Sequence, residues 1–169
     1  MNHPSFRASL DKLPAEAFVG EGVSFRPIGT EADLAYAIFD CHLTEEQQEL
    51  VNPAGFSIGR AYLHPENNCP CLIVSDTDGP VGFINLCLWL GQGERVAFNW
   101  SYYIDARHQG RGFGYRAAQL AVRLLKAIDP DTAIKLSTEA NNRKAQALYL
   151  SLGFRRLDEL DGDDLVFGL

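Results

Sequence analysis

The sequence predicts an α/β domain in which a mixed central sheet of about six to seven strands is flanked by helices. Three observations carry that prediction. A glycine-rich stretch, Gln109-Gly110-Arg111-Gly112-Phe113-Gly114, lies between a strand-like run at 100–105 and a helix-like run at 115–128. After it come a short apolar strand at 133–138, a helix at 142–152, and two further strands at 155–160 and 164–169. The whole chain has 169 residues, 46% hydrophobic and 22% charged, which suits one folded domain with a full core.

Taken in order, residues 1–20 mix Pro4, Pro14 and scattered polar groups without a period. They predict a loosely attached extension ahead of a domain at 21–169. A first strand falls at Val23–Pro27. Thr30 caps a helix with Glu31 and Asp33 in its first turn and Leu34, Ala37 and Ile38 on one face. Thr44 opens a second, glutamate-rich helix to about residue 51, which Pro53 and Gly55 end. Residues 72–75, the polar turn Asp76-Thr77-Asp78-Gly79 and residues 81–90 read as a hairpin. A turn at 91–93 leads into a strand at 95–105, then the glycine loop and its helix. Asp129-Pro130-Asp131 breaks the chain before the strand at 133–138. Asn141 or Asn142 can cap the next helix, where Ala145, Leu148, Tyr149 and Leu152 recur at the spacing of one buried face, and Gly153 ends it. The chain carries no internal repeat and no low-complexity tract.

Glycines between a strand and a helix let backbone N–H groups approach an anion, and the helix N-terminus adds partial positive charge there. The loop therefore reads as a pyrophosphate seat, against the plain alternative of a surface turn. A dinucleotide fingerprint needs Gly-x-Gly-x-x-Gly, whereas these glycines fall at every second position. The nucleotide P-loop needs Gly-Lys-Ser/Thr, which is absent. Tyr149 alone would be a core aromatic on a helical stripe.

Net charge of −7 argues against a nucleic-acid surface, which needs a basic stripe, and suits a cationic small molecule. Asp158, Glu159, Asp161, Asp163 and Asp164 cluster near the C-terminus, most of them as the solvated rim of a hairpin around Gly162. No apolar run reaches the length of a membrane span, and residues 1–10 do not read as a signal segment, so the expectation is a cytoplasmic protein without a membrane partner. The four cysteines, Cys41, Cys69, Cys71 and Cys87, lack zinc-ligand spacing and read as reduced thiols, so no metal is expected.

The order Gln109-x-x-Gly112-x-Gly114, entered from Tyr102-Tyr103-Ile104-Asp105, resembles the acetyl-coenzyme A motif of the GNAT N-acetyltransferase superfamily. Asn142, Ala145, Leu148, Tyr149, Gly153 and Phe154 match the superfamily's later pattern Asn-x-x-Ala-x-x-Leu-Tyr-x-x-x-Gly-Phe at every specified position. The resemblance spans roughly residues 23–169. Within the superfamily it is greatest to bacterial spermine/spermidine N-acetyltransferases, through Gln47 to Asn52, Ser57-Ile58, Ala61-Tyr62, Val81 to Ile84, Leu136-Ser137 with Glu139, and Asp161-Gly162-Asp163. The chain departs from that group at Ser101, where members often carry arginine, which bears on the choice of amine.

The resemblance implies a single-domain fold with a splay between the fourth and fifth strands, and acetyl-coenzyme A as cosubstrate. Backbone groups at Tyr102, Tyr103 and Ile104 would pair with the pantetheine arm. The pyrophosphate would rest on N–H groups of Gln109, Gly110, Arg111, Gly112, Phe113 and Gly114, with a charge-assisted contact from Arg111. Asn142 and Ala145 fall where the family holds the pantetheine and its reacting end, and Tyr149 takes the place of the proton donor. The acceptor would be a small-molecule amine, a polyamine first, with a protein N-terminus, a lysine, an amino acid or an aminoglycoside as alternatives and a non-catalytic coenzyme A sensor as the reading from another class. Oligomeric state is not legible; dimers are frequent in the family, which leaves a homodimer open.

Acyl transfer to an amine needs a neutral nitrogen, a polarised thioester carbonyl and a proton for the departing thiolate. A primary amine with a pKa of about 10 gives up its proton at pH 7 at a cost of about 4 kcal/mol, so a base or water chain must take it. Glu139 is the leading candidate, ahead of Asp105, His108 and Glu94, with accepting backbone N–H bonds at the next helix as its structural alternative. A carboxylate that attracts an ammonium also holds its proton on, so one group rarely does both tasks well.

Overall fold

Among the described residues, seven strands form two antiparallel sheets that touch at one parallel bridge. The structure, a computed structural model, describes residues 5–90 and 96–169. β1 (Val23–Pro27), β2 (Asn68–Ser75), β3 (Gly79–Leu90) and β4 (Val96–Ile104) run in that order. β5 (Lys135–Thr138), β6 (Arg155–Asp161) and β7 (Asp164–Gly168) form the second sheet, with β7 in the middle. Phe98 pairs with Ile134, and its N–H donates to the Ala133 carbonyl at 2.8 Å. Past that bridge, among the described residues, β4 bonds only β3, and β5 bonds only β7. The expected α/β fold and its splay are therefore present.

Helices cover both faces of the larger sheet. α1 spans Phe6–Leu10, α2 spans Glu31–Ala35 and runs into a wide turn at Tyr36–Asp40, α3 spans Glu45–Gln48, and α4 spans Ala54–Leu63. α5 (Phe113–Ile128) and α6 (Arg143–Ser151) follow the two motif loops. Phe113, Ala117, Leu120, Ala121, Leu124 and Leu125 form the buried stripe of α5. They join Ile84, Leu86 and Trp100 in the main core. Burying each large side chain of this stripe contributes about 1.5–3 kcal/mol. On the opposite sheet face, Phe83 and Leu72 pack with Ala37 and Ala54 in a smaller cluster. Strand alternation assigns the faces: Ile84 and Leu86 go to α5, Phe83 and Asn85 to α4.

Several expectations need correction. Residues 5–20 are not loosely attached: Ser5 caps α1, and Phe6 and Leu10 are 2% and 1% exposed in the main core, with the Phe6 ring 5.8 Å from that of Phe98. Thr30 caps α2 as expected, but of its three predicted face residues only Ala37 is buried, while Leu34 and Ile38 are exposed. The glutamate-rich helix stops at Gln48, and Pro53, read as a terminator, is the N-cap of α4. Proline suits a first turn, where its missing N–H costs no bond, so the same residue reads either way. β2 begins at Asn68 rather than residue 72, and α5 begins at Phe113. The turn predicted at 91–93, and Glu94 and Arg95, lie outside the described residues.

Candidate active site

The divergence of β4 from β5 opens a cleft of about 980 Å³. Phe98 turns its N–H toward β5, and a strand's bonding groups alternate with a period of two, so Trp100 and Tyr102 offer their N–H and C=O to the same open side. These main-chain groups are an unpaired sheet edge, ready for an extended polar chain.

At the C-terminal end of β4 the chain enters the glycine loop. Gly110 and Gly112 have φ of +76° and +82°, values that side chains with a Cβ adopt at a cost. Gly112 is the N-cap of α5 and brings no capping side chain, and Arg116 N–H, bonded to the Gly112 carbonyl at 3.1 Å, is the first donor used inside the helix. The N–H groups of Phe113, Gly114 and Tyr115 therefore precede the helical ladder, and no acidic residue stands in that turn. An anion fits there on both counts.

The loop is fixed by side chains. Gln109 and Gln47 of α3 exchange two hydrogen bonds, each 2.9 Å, and Gln109 Nε2 also donates to the Ile104 carbonyl at 2.9 Å. Tyr102 Oη donates to the Gly114 carbonyl at 3.1 Å. Burial, and the neighbouring Tyr149, push the Tyr102 phenol far up. Arg111 does not line the cleft. It pairs with Asp78 at 2.9 Å and lies 5.0 Å over the Phe113 ring, while Phe113 itself is buried in the core. The Tyr103 ring points to the other sheet face, 5.9 Å from Phe83, and the Ile104 side chain is core.

Across the splay, Tyr149 lines the cleft from α6, 8% exposed, with its ring 5.9 Å from Phe154 and 5.7 Å from Phe167. Burial pushes its phenol up to about 12, so the group is protonated throughout the neutral range. Asn142, not Asn141, caps α6: its Oδ1 accepts from Ala145 N–H at 3.2 Å, a bond that does not use Nδ2, and Asn142 and Ala145 both line the cleft. Glu139 lines the same wall. Its carbonyl accepts from Asn142 N–H at 3.0 Å, and the carboxylate does not take the N-capping role, which Asn142 fills. Asp105 is fully buried. Burial raises its carboxyl, but the Arg107 contacts, 2.5 Å at the shortest, outweigh that and hold it below the usual range, which unsuits it as a base at neutral pH.

In the other half of the cleft the sequence points only to Ser57 and Ser101, through the family resemblance, and not to Asn85 or Asn99. Ser57 from α4, Asn85 from β3, and Asn99 and Ser101 from β4 line that half on the face opposite α5, and Leu50, Val51 and Trp89 also belong to the lining. Polar residues at alternate positions of an apolar strand, as at Asn85, were the available signal. Glu49, Glu139, Glu159, Asp161 and Asp164 bring carboxylates to the lining. Glu159 is paired with Lys135, and Asp161 accepts from Ser137 at 3.0 Å. Among the described residues no group of three or more His, Cys, Asp or Glu is arranged to hold a metal, and no helix is long and apolar enough to cross a membrane.

A sequence search of curated proteins finds no match. Solved structures do match. The aminoglycoside acetyltransferase AAC(6')-Ib with ribostamycin and coenzyme A superposes with a TM-score of 0.68 at 21% identity, over 88% of this chain and 92% of that one. A spermidine N-acetyltransferase chimera from Vibrio cholerae and hSSAT gives 0.64 at 19%, over 88% and 93%. An acetyltransferase from Agrobacterium tumefaciens gives 0.65 at 18%, over 89% and 92%. These are likenesses of fold. The profile of the Acetyltransferase (GNAT) family matches residues 34–154, and the chain therefore belongs to that family of N-acetyltransferases, whose acyl donor is acetyl-coenzyme A.

Proposed function

We propose that the protein transfers an acetyl group from acetyl-coenzyme A to a primary amine of a small polycation such as spermidine or spermine, by direct attack on the thioester. The observation that carries this reading is the opening of β4 from β5 beside the N-terminus of α5, with Tyr149 and Glu139 both on the walls of the opening. When bound, acetyl-coenzyme A supplies the activated acyl group and a thiolate leaving group. The free N–H groups of Gly114 and its neighbours take the diphosphate, and the unpaired edge of Trp100 and Tyr102 takes the pantetheine amides. Asn142 Nδ2 adds one donor to that arm. A β4 N–H facing the splay stabilises negative charge on the carbonyl oxygen.

As the N–C bond forms and the C–S bond breaks, Glu139 accepts the amine proton and Tyr149 gives its own to the sulfur. A thiol is more acidic than this phenol, so the proton passes only as the C–S bond breaks within the buried, bound complex. The polycation is supported by the lining itself. Carboxylates at Glu49 and Asp164 share the lining with the apolar side chains of Leu50, Val51 and Trp89, which suits charged nitrogens joined by methylenes. We place the reaction in the cytosol, where the four free thiols stay reduced.

The test is thiol release from acetyl-coenzyme A against an amine panel: spermidine, spermine, an aminoglycoside, lysine and a peptide with a free N-terminus. Release that needs both substrates and is fastest with a polyamine is expected. Fastest release with the aminoglycoside or peptide moves the acceptor, and tight coenzyme binding with no release above background makes the protein a sensor.

A further inference from the structure

Asn85 is 3% exposed in the middle of β3, and its Oδ1 is buried with no hydrogen-bond partner. Its surroundings are not those of a core residue. Asn85 stands opposite Ser101 in the β3–β4 register, and both line the cleft with Ser57 on the face turned toward α4. The direction of its amide is dictated by a chain of bonds that starts at a main-chain carbonyl. The His64 carbonyl can only accept, so Asn68 must give it Nδ2, at 2.9 Å. Asn68 Oδ1 is thereby turned to Asn85, which must give its own Nδ2, at 3.0 Å. Asn85 Oδ1 is what remains, a hydrogen-bond acceptor that the fold desolvates and gives no partner. Reversing either amide would set two donors or two acceptors face to face.

We propose that Asn85, oriented by Asn68 and the His64 carbonyl, is a specificity residue whose Oδ1 receives an N–H of the acceptor amine in the half of the cleft opposite α5. The proposal rests on the acyl-transfer reading and deepens it. An oxygen without a proton accepts from an ammonium and from a neutral amine alike, so it seats the nitrogen without holding its proton as a carboxylate would. A site built to bond an N–H rejects a ligand that lacks one, because the buried oxygen is then left unpaired.

The experiment is steady-state thiol release with spermidine, and with whichever amine of the panel is fastest, for wild type, Asn68→Leu, Asn85→Leu and the double variant. The double variant removes both ends of the buried bond, so neither amide is orphaned and the fold is kept. Asn85→Leu and the double variant are expected to lose tenfold or more in kcat/KM for the amine, chiefly through KM, with acetyl-coenzyme A affinity by calorimetry within twofold of wild type. Asn68→Leu, which leaves Oδ1 in place but unlocks its direction, is expected to lose less than Asn85→Leu. Wild-type kcat/KM in the double variant overturns the proposal. Should wild type acetylate no amine, the acyl-transfer reading falls separately, and a crystal structure with coenzyme A and spermidine still decides Asn85. An amine nitrogen, or a water bridging to one, within about 3.2 Å of Oδ1 sustains it, and an Oδ1 with no such donor overturns it.

Discussion

On the side of the cleft proposed for the coenzyme the wall is main chain: an unpaired strand edge at Trp100 and Tyr102, two glycines in the left-handed region, and the open end of α5. On the side proposed for the acceptor it is side chains, carried by the short helices α3 and α4 and by alternate residues of β3 and β4. A main-chain wall recognises what all its ligands share, and a side-chain wall can be altered one residue at a time. Substitutions on the first wall should therefore weaken acetyl-coenzyme A whatever the amine, and those on the second should change the amine alone.

Tyr149 and Glu139 line the same cleft, and as the proposed proton donor and acceptor they should show the largest effects. Tyr149→Phe should cut kcat by about 100-fold or more while acetyl-coenzyme A binding, read by calorimetry, stays within about twofold. An unchanged kcat would remove Tyr149 as the donor. With its phenol pushed up to about 12, the donor form persists as pH rises through 10 and is lost only near 12, so Tyr149 adds no alkaline limb to kcat below about pH 11. Glu139→Gln keeps shape and removes the proton acceptor, and kcat/KM for the amine should drop about 10- to 100-fold with coenzyme affinity preserved. A loss of coenzyme affinity alone would make Glu139 part of the first wall.

The difference between the walls also explains what could be read from the sequence. Gly112 and Gly114 announce themselves because a positive φ or a bare main chain admits few residue types, and the helix that carries Asn142 and Tyr149 follows from a cap and a helical period, while the role expected of Tyr149 comes from the family pattern alone. The acceptor wall has no such grammar. Asn85 and Ser57 owe their places to pairing between β3 and β4 and to the packing of α4, a helix hidden because Pro53 was read as an end rather than a start. Gln47 reaches Gln109 across 62 residues of chain, a contact that no local pattern encodes. Arg111 shows the converse: its place in the motif suggests a phosphate contact, and its partners in the fold, Asp78 and the Phe113 ring, could be found only from tertiary structure.

A smaller effect belongs to the first wall. Gly112→Val forces a β-branched residue to a φ of +82°, although an added Cβ would meet nothing within 4 Å. The cost is conformational, about 1–2 kcal/mol, which for a chain of this size lowers Tm by roughly 2–8 °C. Acetyl-coenzyme A affinity should fall with it, since relaxing the loop turns the N–H groups of α5 away from the diphosphate. A lowered Tm with unaltered affinity would mean that the loop holds no ligand.

The smallest expected effect tests whether the walls are independent at all. Gln47 belongs to α3 on the acceptor side and Gln109 to the glycine loop, and their two reciprocal bonds are the direct tie between them. Gln109 keeps its bond to the Ile104 carbonyl without Gln47, so Gln47→Leu loosens the loop rather than releasing it. A net hydrogen bond is worth about 0.5–1.5 kcal/mol, so acetyl-coenzyme A affinity should weaken about two- to tenfold, and the amine KM should rise as α3 loses its anchor. If the pair acts as a unit, the double variant Gln47→Leu with Gln109→Leu costs less than the sum of the two single changes. Additive losses would mean that each wall stands alone, and the acceptor side could then be redesigned without regard to the coenzyme loop.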